Sequence, residues 1–196
     1  MKVQKYLAEL LGTFTLTLSV YLSLAMGGHL STPVVAALTL GVGVYTMGAI
    51  SGAHFNPAIS LAMATVGKLK WRDAVLYVVF QLVGAVLAMY LGLWMAGGAT
   101  GVTGAEGWVI GAGEALGAAM LAVGVAAVTF GKADDDSAGL TVGGSLLVGI
   151  LMASTVANGV LNPAVALGIG SVSVTYMLAP IVGAVVAAWV YKFLQD

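Results

Sequence analysis

The chain has 196 residues, of which 60% are hydrophobic and 8% charged, with a net charge of −1 and a mean hydropathy of +1.05. A soluble domain carries roughly 25% charged residues, so this composition cannot cover a water-facing surface and indicates an integral membrane protein. It contains no cysteine and two histidines, which excludes a disulfide framework, a thiolate metal site and thiol redox chemistry. The near-neutral charge excludes a basic nucleic-acid surface.

The basic start MKVQK resembles a signal peptide, but the apolar stretch continues to about Met26 with no small-residue cleavage site. A retained first span is expected. A bilayer core needs about 20 apolar residues per helix, and runs of that kind cover approximately 6–27, 32–50, 71–95, 108–130, 138–157 and 172–193. Two shorter apolar segments, near 57–67 and 163–170, are expected to be half-spans or re-entrant pieces. Six crossings put all of Lys2, Lys5, Lys68, Lys70, Arg72, Lys132 and Lys192 on one side. This positive-inside asymmetry predicts both termini in the cytoplasm and a location in the cell membrane. Asp134-Asp135-Asp136 reads as a solvated loop. Trp71, Trp94, Trp108 and Trp189 fall near span ends, as interfacial anchors do. Small-residue spacings such as Gly84/Ala88 and Gly113/Gly117 predict close helix packing. The glycine-rich segment 97–107 lacks a phosphate-loop lysine.

The two halves correspond. AELLGT at 8–13 matches GEALGA at 113–118, placing Glu9 opposite Glu114, FNPAISLA matches LNPAVALG, and YVVFQLVGA at 77–85 matches YMLAPIVGA at 176–184. Three spans per half, an odd number, predict an inverted repeat, approximately 1–100 and 106–196, within one transmembrane domain. In each triplet, Asn56-Pro57-Ala58 and Asn162-Pro163-Ala164, the asparagine is a strong N-cap and the proline suits the first helical position. Two half-helices entering from opposite faces would bring two positive helix ends together at the midplane, each about half an elementary charge. That field disfavours protons and other cations. The asparagine amides can donate to a passing oxygen, giving a single-file path for neutral hydrogen-bonding solutes.

Carboxylates within the membrane, Glu9 and Glu114, cost about 2.5–3.5 kcal/mol when central. They suggest either a proton relay or, more in keeping with their symmetry, acceptors for the backbone ahead of each half-helix. His54 suggests a sensor of cytoplasmic pH or, with more weight, a hydrogen bond fixing the first re-entrant loop. His29 falls in an exposed loop and is read as incidental. No nucleophile–base pair, metal-ligand cluster or cofactor motif is apparent, so no enzyme, metal or cofactor is expected.

With SGAHFNPAISLA, the second NPA and the matched flanking segments, the chain resembles the aquaporin, or major intrinsic protein, family over essentially its whole length. The resemblance implies an all-α bundle of six transmembrane helices plus two re-entrant half-helices and one pore per subunit. It also implies a homotetramer and passive conduction of water or small uncharged solutes. The four positions of the family's narrow filter fall on Ala36, Ile150, Gly159 and Val165. Arginine usually follows the second NPA, and this chain has Val165 there. Ala166 stands where glycerol-conducting members carry aspartate. The implied constriction is wide, apolar and weakly cation-repelling. Three alternatives remain: a neutral-solute facilitator that moves water poorly, an ion-coupled secondary transporter, and a non-conducting scaffold.

Overall fold

The computed structural model describes residues 3–195. Lys2 lies outside them, so its placement with the other basic residues is not observed. The described residues form eight α-helices: α1 Gln4–Met26, α2 Thr32–Ser51, α3 Pro57–Thr65, α4 Trp71–Ala96, α5 Trp108–Thr129, α6 Ala138–Ala153, α7 Pro163–Ile169 and α8 Val174–Gln195. A short 3-10 turn, Asp135–Ser137, leads into α6. Six of these segments are long and apolar enough to cross a membrane, and α3 and α7 are too short. The protein is an integral multi-pass membrane protein with an aquaporin-like helical fold.

The bundle keeps small residues inside and large apolar ones outside, which suits a lipid solvent. On α4, Val75, Val79, Val83 and Leu87 point outward while Gly84, Ala85 and Ala88 are buried. Helix α8 repeats this, with Leu178, Val182 and Val186 outside and Gly183, Ala184 and Ala188 inside. The principal packings are α1 on α4, α5 on α8, α5 on α6 and α2 on α6. They depend on backbone approach. A Cβ on Gly84 would strike the Leu10 carbonyl, and one on Gly183 the Ala115 carbonyl. A Cβ on Gly143 would lie 2.6 Å from the Ala37 carbonyl oxygen.

The basic residues gather at one end of the bundle. Lys5 pairs with Asp73 at 2.7 Å, Lys68 lies over the Phe130 ring, and Lys192 donates to the Val66 carbonyl. Asp134, Asp135 and Asp136 are exposed, as expected. Trp71, Trp94, Trp108 and Trp189 are exposed toward helix ends. Several boundaries differ from expectation by two residues or more, and two of them have a visible cause. The fifth span stops at Ala153 instead of about 157, because the chain turns where the Asn158 N–H donates to the Tyr176 hydroxyl. The last begins at Val174 instead of 172, where the Glu106 carboxylate accepts from the Val174 and Thr175 N–H groups.

Candidate functional site

The re-entrant segments are built alike. Asn56 caps α3, its Oδ1 accepting from the Ala58 N–H at 2.8 Å. Asn162 caps α7, accepting from the N–H groups of Ala164 at 3.0 Å and Val165 at 3.4 Å. Pro57 and Pro163 occupy the first turns, where a missing N–H costs nothing. All six residues of the two triplets are buried. Each asparagine also reaches across: Asn56 Nδ2 donates to the Leu161 carbonyl at 3.0 Å, and Asn162 Nδ2 to the Phe55 carbonyl at 2.9 Å. One N–H of each amide is therefore spent on the opposite segment, and one remains for a ligand.

Phe55 and Leu161 hold left-handed backbone, with φ of 47° and 58°, a strain of about 1–3 kcal/mol for a side-chain-bearing residue. Buried carboxylates hold both in place. Glu9 accepts from the His54 N–H at 3.0 Å and the Phe55 N–H at 2.7 Å. Glu114 accepts from the Val160 N–H at 3.0 Å and the Leu161 N–H at 2.7 Å. Both carboxylates are fully buried. Side-chain seats add to this. The Phe55 ring fills the space beside Gly12 and Gly43, and the Leu161 side chain that beside Gly117 and Gly149. These seats were missed in the sequence, although Gly12 and Gly117 stand in register within AELLGT and GEALGA.

The two supports differ in their further partners. Glu9 also accepts from the Ser51 hydroxyl at 2.6 Å and from Gln81 Nε2 at 2.8 Å. Gln81 donates as well to Ser60 Oγ, which bonds His54 Nδ1 at 3.1 Å. His54 is thus tied to the first turn of α3 by its ring and to Glu9 by its backbone, and its ring packs edge-on against Tyr77. The second half has Val160, Ala166 and Pro180 where the first has His54, Ser60 and Gln81.

A cavity of about 300 Å³ runs from this junction toward the end of the bundle away from the lysines. Ala36, Ile150, Gly159 and Val165 all line it, together with Asn56, Asn162 and His54. The remaining wall is mostly aliphatic: Leu16, Val20, Leu40, Leu121, Leu146, Val160 and Ile169, with Val102 from segment 97–107. No periodicity of the sequence singles out these neighbours. Gly159 adopts φ of 68° with its Cα against Ser154 and Ile150, so a side chain there would be both strained and crowded. Among the described residues no cluster of His, Asp or Glu could hold a metal ion.

A family model described as major intrinsic protein matches residues 1–191. The chain belongs to the major intrinsic protein family. Among similar members, "Aquaporin NIP1-1" of Zea mays is 36% identical over 98% of this chain and 75% of its own length. "Nodulin-26" of Glycine max is 32% identical over 98% and 78%. "Glycerol uptake facilitator protein-like 6" of Lactiplantibacillus plantarum is 34% identical over 95% and 96%. The fold is similar to that of an aquaglyceroporin from Plasmodium falciparum, with a TM-score of 0.73 at 20% identity, covering 100% of this chain and 97% of that one. In this member of the major intrinsic protein family, the cavity wall beside the two triplets is mostly aliphatic.

Glu106 lies beyond the spans, against the first turn of α8. The Thr175 hydroxyl, foremost, and the Val174 and Thr175 N–H groups hold its carboxyl below the ordinary carboxylate range.

Proposed function

We propose that the protein is a passive channel for water and small neutral solutes, driven by osmotic or concentration gradients. The observation that carries this reading is the placement of Asn56 and Asn162, buried and cross-bonded, in the wall of one cavity where two half-helix N-termini meet. Each amide keeps a donor for a permeant oxygen, and the helix ends supply positive potential that disfavours cations. Irregular backbone at this depth is tolerated where it is buried or lines a wet cavity. Relatives named as aquaporins and as a glycerol uptake facilitator support the same class.

In this reading Ala36, Ile150, Gly159 and Val165 form the filter, and the chain is an inverted repeat of approximately 1–100 and 106–196. Glu9, Glu114 and His54 are supports of the half-helices. The gathering of lysines at one end supports cytoplasmic termini in a cell membrane. A homotetramer is the assembly the family resemblance implies, and chemical crosslinking in membranes tests it. A second reading, a solute facilitator with poor water conduction, is favoured by the aliphatic wall, since apolar constrictions can dewet.

The test is light scattering from proteoliposomes after an osmotic step, with water and glycerol gradients in parallel. Water flux above empty liposomes supports the channel, and glycerol flux with little water flux supports the second reading. No flux of either refutes both. Saturable uptake that needs an ion gradient would indicate a coupled transporter.

A further inference from the structure

Helices α5 and α8 start side by side at the end of the bundle away from the lysines, where Glu106, just ahead of α5, bonds the first turn of α8. They touch most closely further in, where Gly183 meets the Ala115 carbonyl. Nearer their starts they part. A Cβ on Gly111 would lie 3.5 Å from Thr175 Cγ2 and 3.9 Å from Ala179 Cβ, ordinary contact and no closer. The wedge between them is an open groove of about 600 Å³ on the outside of the bundle, within the ~300–1,000 Å³ of pockets that hold small ligands. Gly111, Ala112 and Ala179 give it depth, Leu178 and Val182 line it along α8, and Trp108, 97% exposed, stands at its lip. The Glu106 carboxylate is at its head. Every donor to that carboxylate is neutral: the Val174 and Thr175 N–H groups and the Thr175 hydroxyl. Among the described residues no cation lies within ion-pair distance of it.

We propose that this groove binds a phospholipid with a primary ammonium head group, one acyl chain lying between α5 and α8 and the ammonium against Glu106. The site is separate from the cavity that Asn56 and Asn162 line, so it does not depend on the channel reading. Its depth in the bundle sets the chemistry of the occupant. The lower groove is apolar and opens toward lipid, where an acyl chain gains contact with Leu178 and Val182. Trp108 marks the level of the head groups, and Glu106, two residues ahead of it, stands where a lipid carries its charge. The anion then discriminates among head groups. A primary ammonium donates charge-assisted hydrogen bonds to a carboxylate. A choline head group has the same charge but no N–H to donate, and an anionic head group meets repulsion with no basic side chain to hold it. A second copy of the chain, inserted in the same direction, is a poorer occupant. Its basic side chains gather at the opposite end and leave Glu106 without a cation.

The test is native mass spectrometry of the detergent-solubilised protein titrated with dioleoyl phosphatidylethanolamine, phosphatidylcholine or phosphatidylglycerol, which counts the lipids each chain retains. Wild type is expected to retain the ethanolamine lipid about two- to fivefold more than the choline lipid, as an exposed ion pair allows, and the glycerol lipid least. Glu106→Gln removes the charge and should bring the ethanolamine lipid down to the level of the choline lipid. Ala112→Phe fills the groove from an exposed position and should remove one tightly held lipid per chain, whichever head group it carries. Thermal unfolding checks that each variant is folded. Equal retention of ethanolamine and choline lipids by wild type overturns the proposal, as does an ethanolamine preference that survives in Glu106→Gln. Strongest retention of the glycerol lipid overturns it too. If Glu106→Gln does not fold, Ala112→Phe decides alone, and an undiminished lipid count refutes the site. An Ala112→Phe variant that loses a subunit and no lipid would assign the groove to a second copy of the chain instead.

Discussion

Asn56 and Asn162 do not bond to each other; each donates its side-chain amide to the carbonyl of the residue that precedes the other. The exchange couples the two half-helices through the strained residues Phe55 and Leu161. It also orients both amides, so the N–H left over on each has a defined direction. Replacing Asn56 with aspartate separates these functions. The remaining oxygen still caps α3, but the donor to Leu161 is lost and an anion stands where two helix ends meet. Asn56→Asp is expected to keep most of its thermal stability in detergent, losing about 1–3 kcal/mol for the orphaned carbonyl, and to gain cation leak. Conductance in planar bilayers measures the leak, and an unchanged ion permeability would show that the helix ends do not provide the barrier.

The two buried carboxylates are predicted to differ in what they tolerate. Glu9 accepts four hydrogen bonds, two on each oxygen. A glutamine amide there would face at least one fixed N–H, leaving a buried donor unpaired at about 1–3 kcal/mol. Gln81 can lessen the loss by turning its carbonyl inward, since its Oε1 has no partner. Glu114 accepts from Val160 and Leu161, with no second side chain to readjust. Glu114→Gln is therefore expected to lose more stability than Glu9→Gln. Thermal unfolding of the two variants in the same detergent decides it, and the opposite order would mean that the Ser51 and Gln81 bonds are the essential ones.

Much of this was legible in the sequence, for identifiable reasons. The spans are long apolar runs, three of them ended by Gly27, Gly52 and Gly97, and their ends could be read to within a few residues. The Asn-Pro pairs carry both a cap and a first-turn signal in adjacent residues, so α3 and α7 were readable despite their length. The acceptor role of Glu9 and Glu114 was readable from their matching positions. What could not be read depends on contacts between distant segments. Gln81 joins Glu9 to Ser60, and nothing local marks a glutamine in an apolar helix as their bridge. Val102 sits in a segment that resembles a plain surface loop until Thr100 and Asn158 are seen to tie it down. The end of α6 at Ala153 follows from Asn158 meeting Tyr176, a contact without a local signature.

The seat of Phe55 offers a test by rescue. Its ring fills the space beside Gly12 and Gly43, and a Cβ on Gly43 would come within 2.5 Å of the ring. Gly43→Ala is expected to destabilise the protein by about 1–3 kcal/mol through overpacking. Phe55→Leu, which installs the residue found at Leu161, should recover part of that loss. A double-mutant cycle by thermal unfolding gives the coupling. Additive effects would mean that the ring is not confined by Gly43.

Val165 stands in the cavity wall directly after the second triplet, and a single substitution tests its role. It is buried to 4% exposure, lines the cavity and lies in the first turn of α7, where its N–H donates to the Asn162 cap. Val165→Arg would add a long cation to a passage walled mostly by aliphatic groups. It would narrow the opening and raise the barrier for larger solutes more than for water. A fall of about tenfold in the glycerol-to-water flux ratio corresponds to ~1.4 kcal/mol of added barrier, a modest demand for so large a side chain. Parallel water and glycerol measurements on proteoliposomes provide the ratio. If size selectivity is unchanged in a variant that inserts and conducts, Val165 does not stand at the constriction, and the limit must be set elsewhere along the cavity.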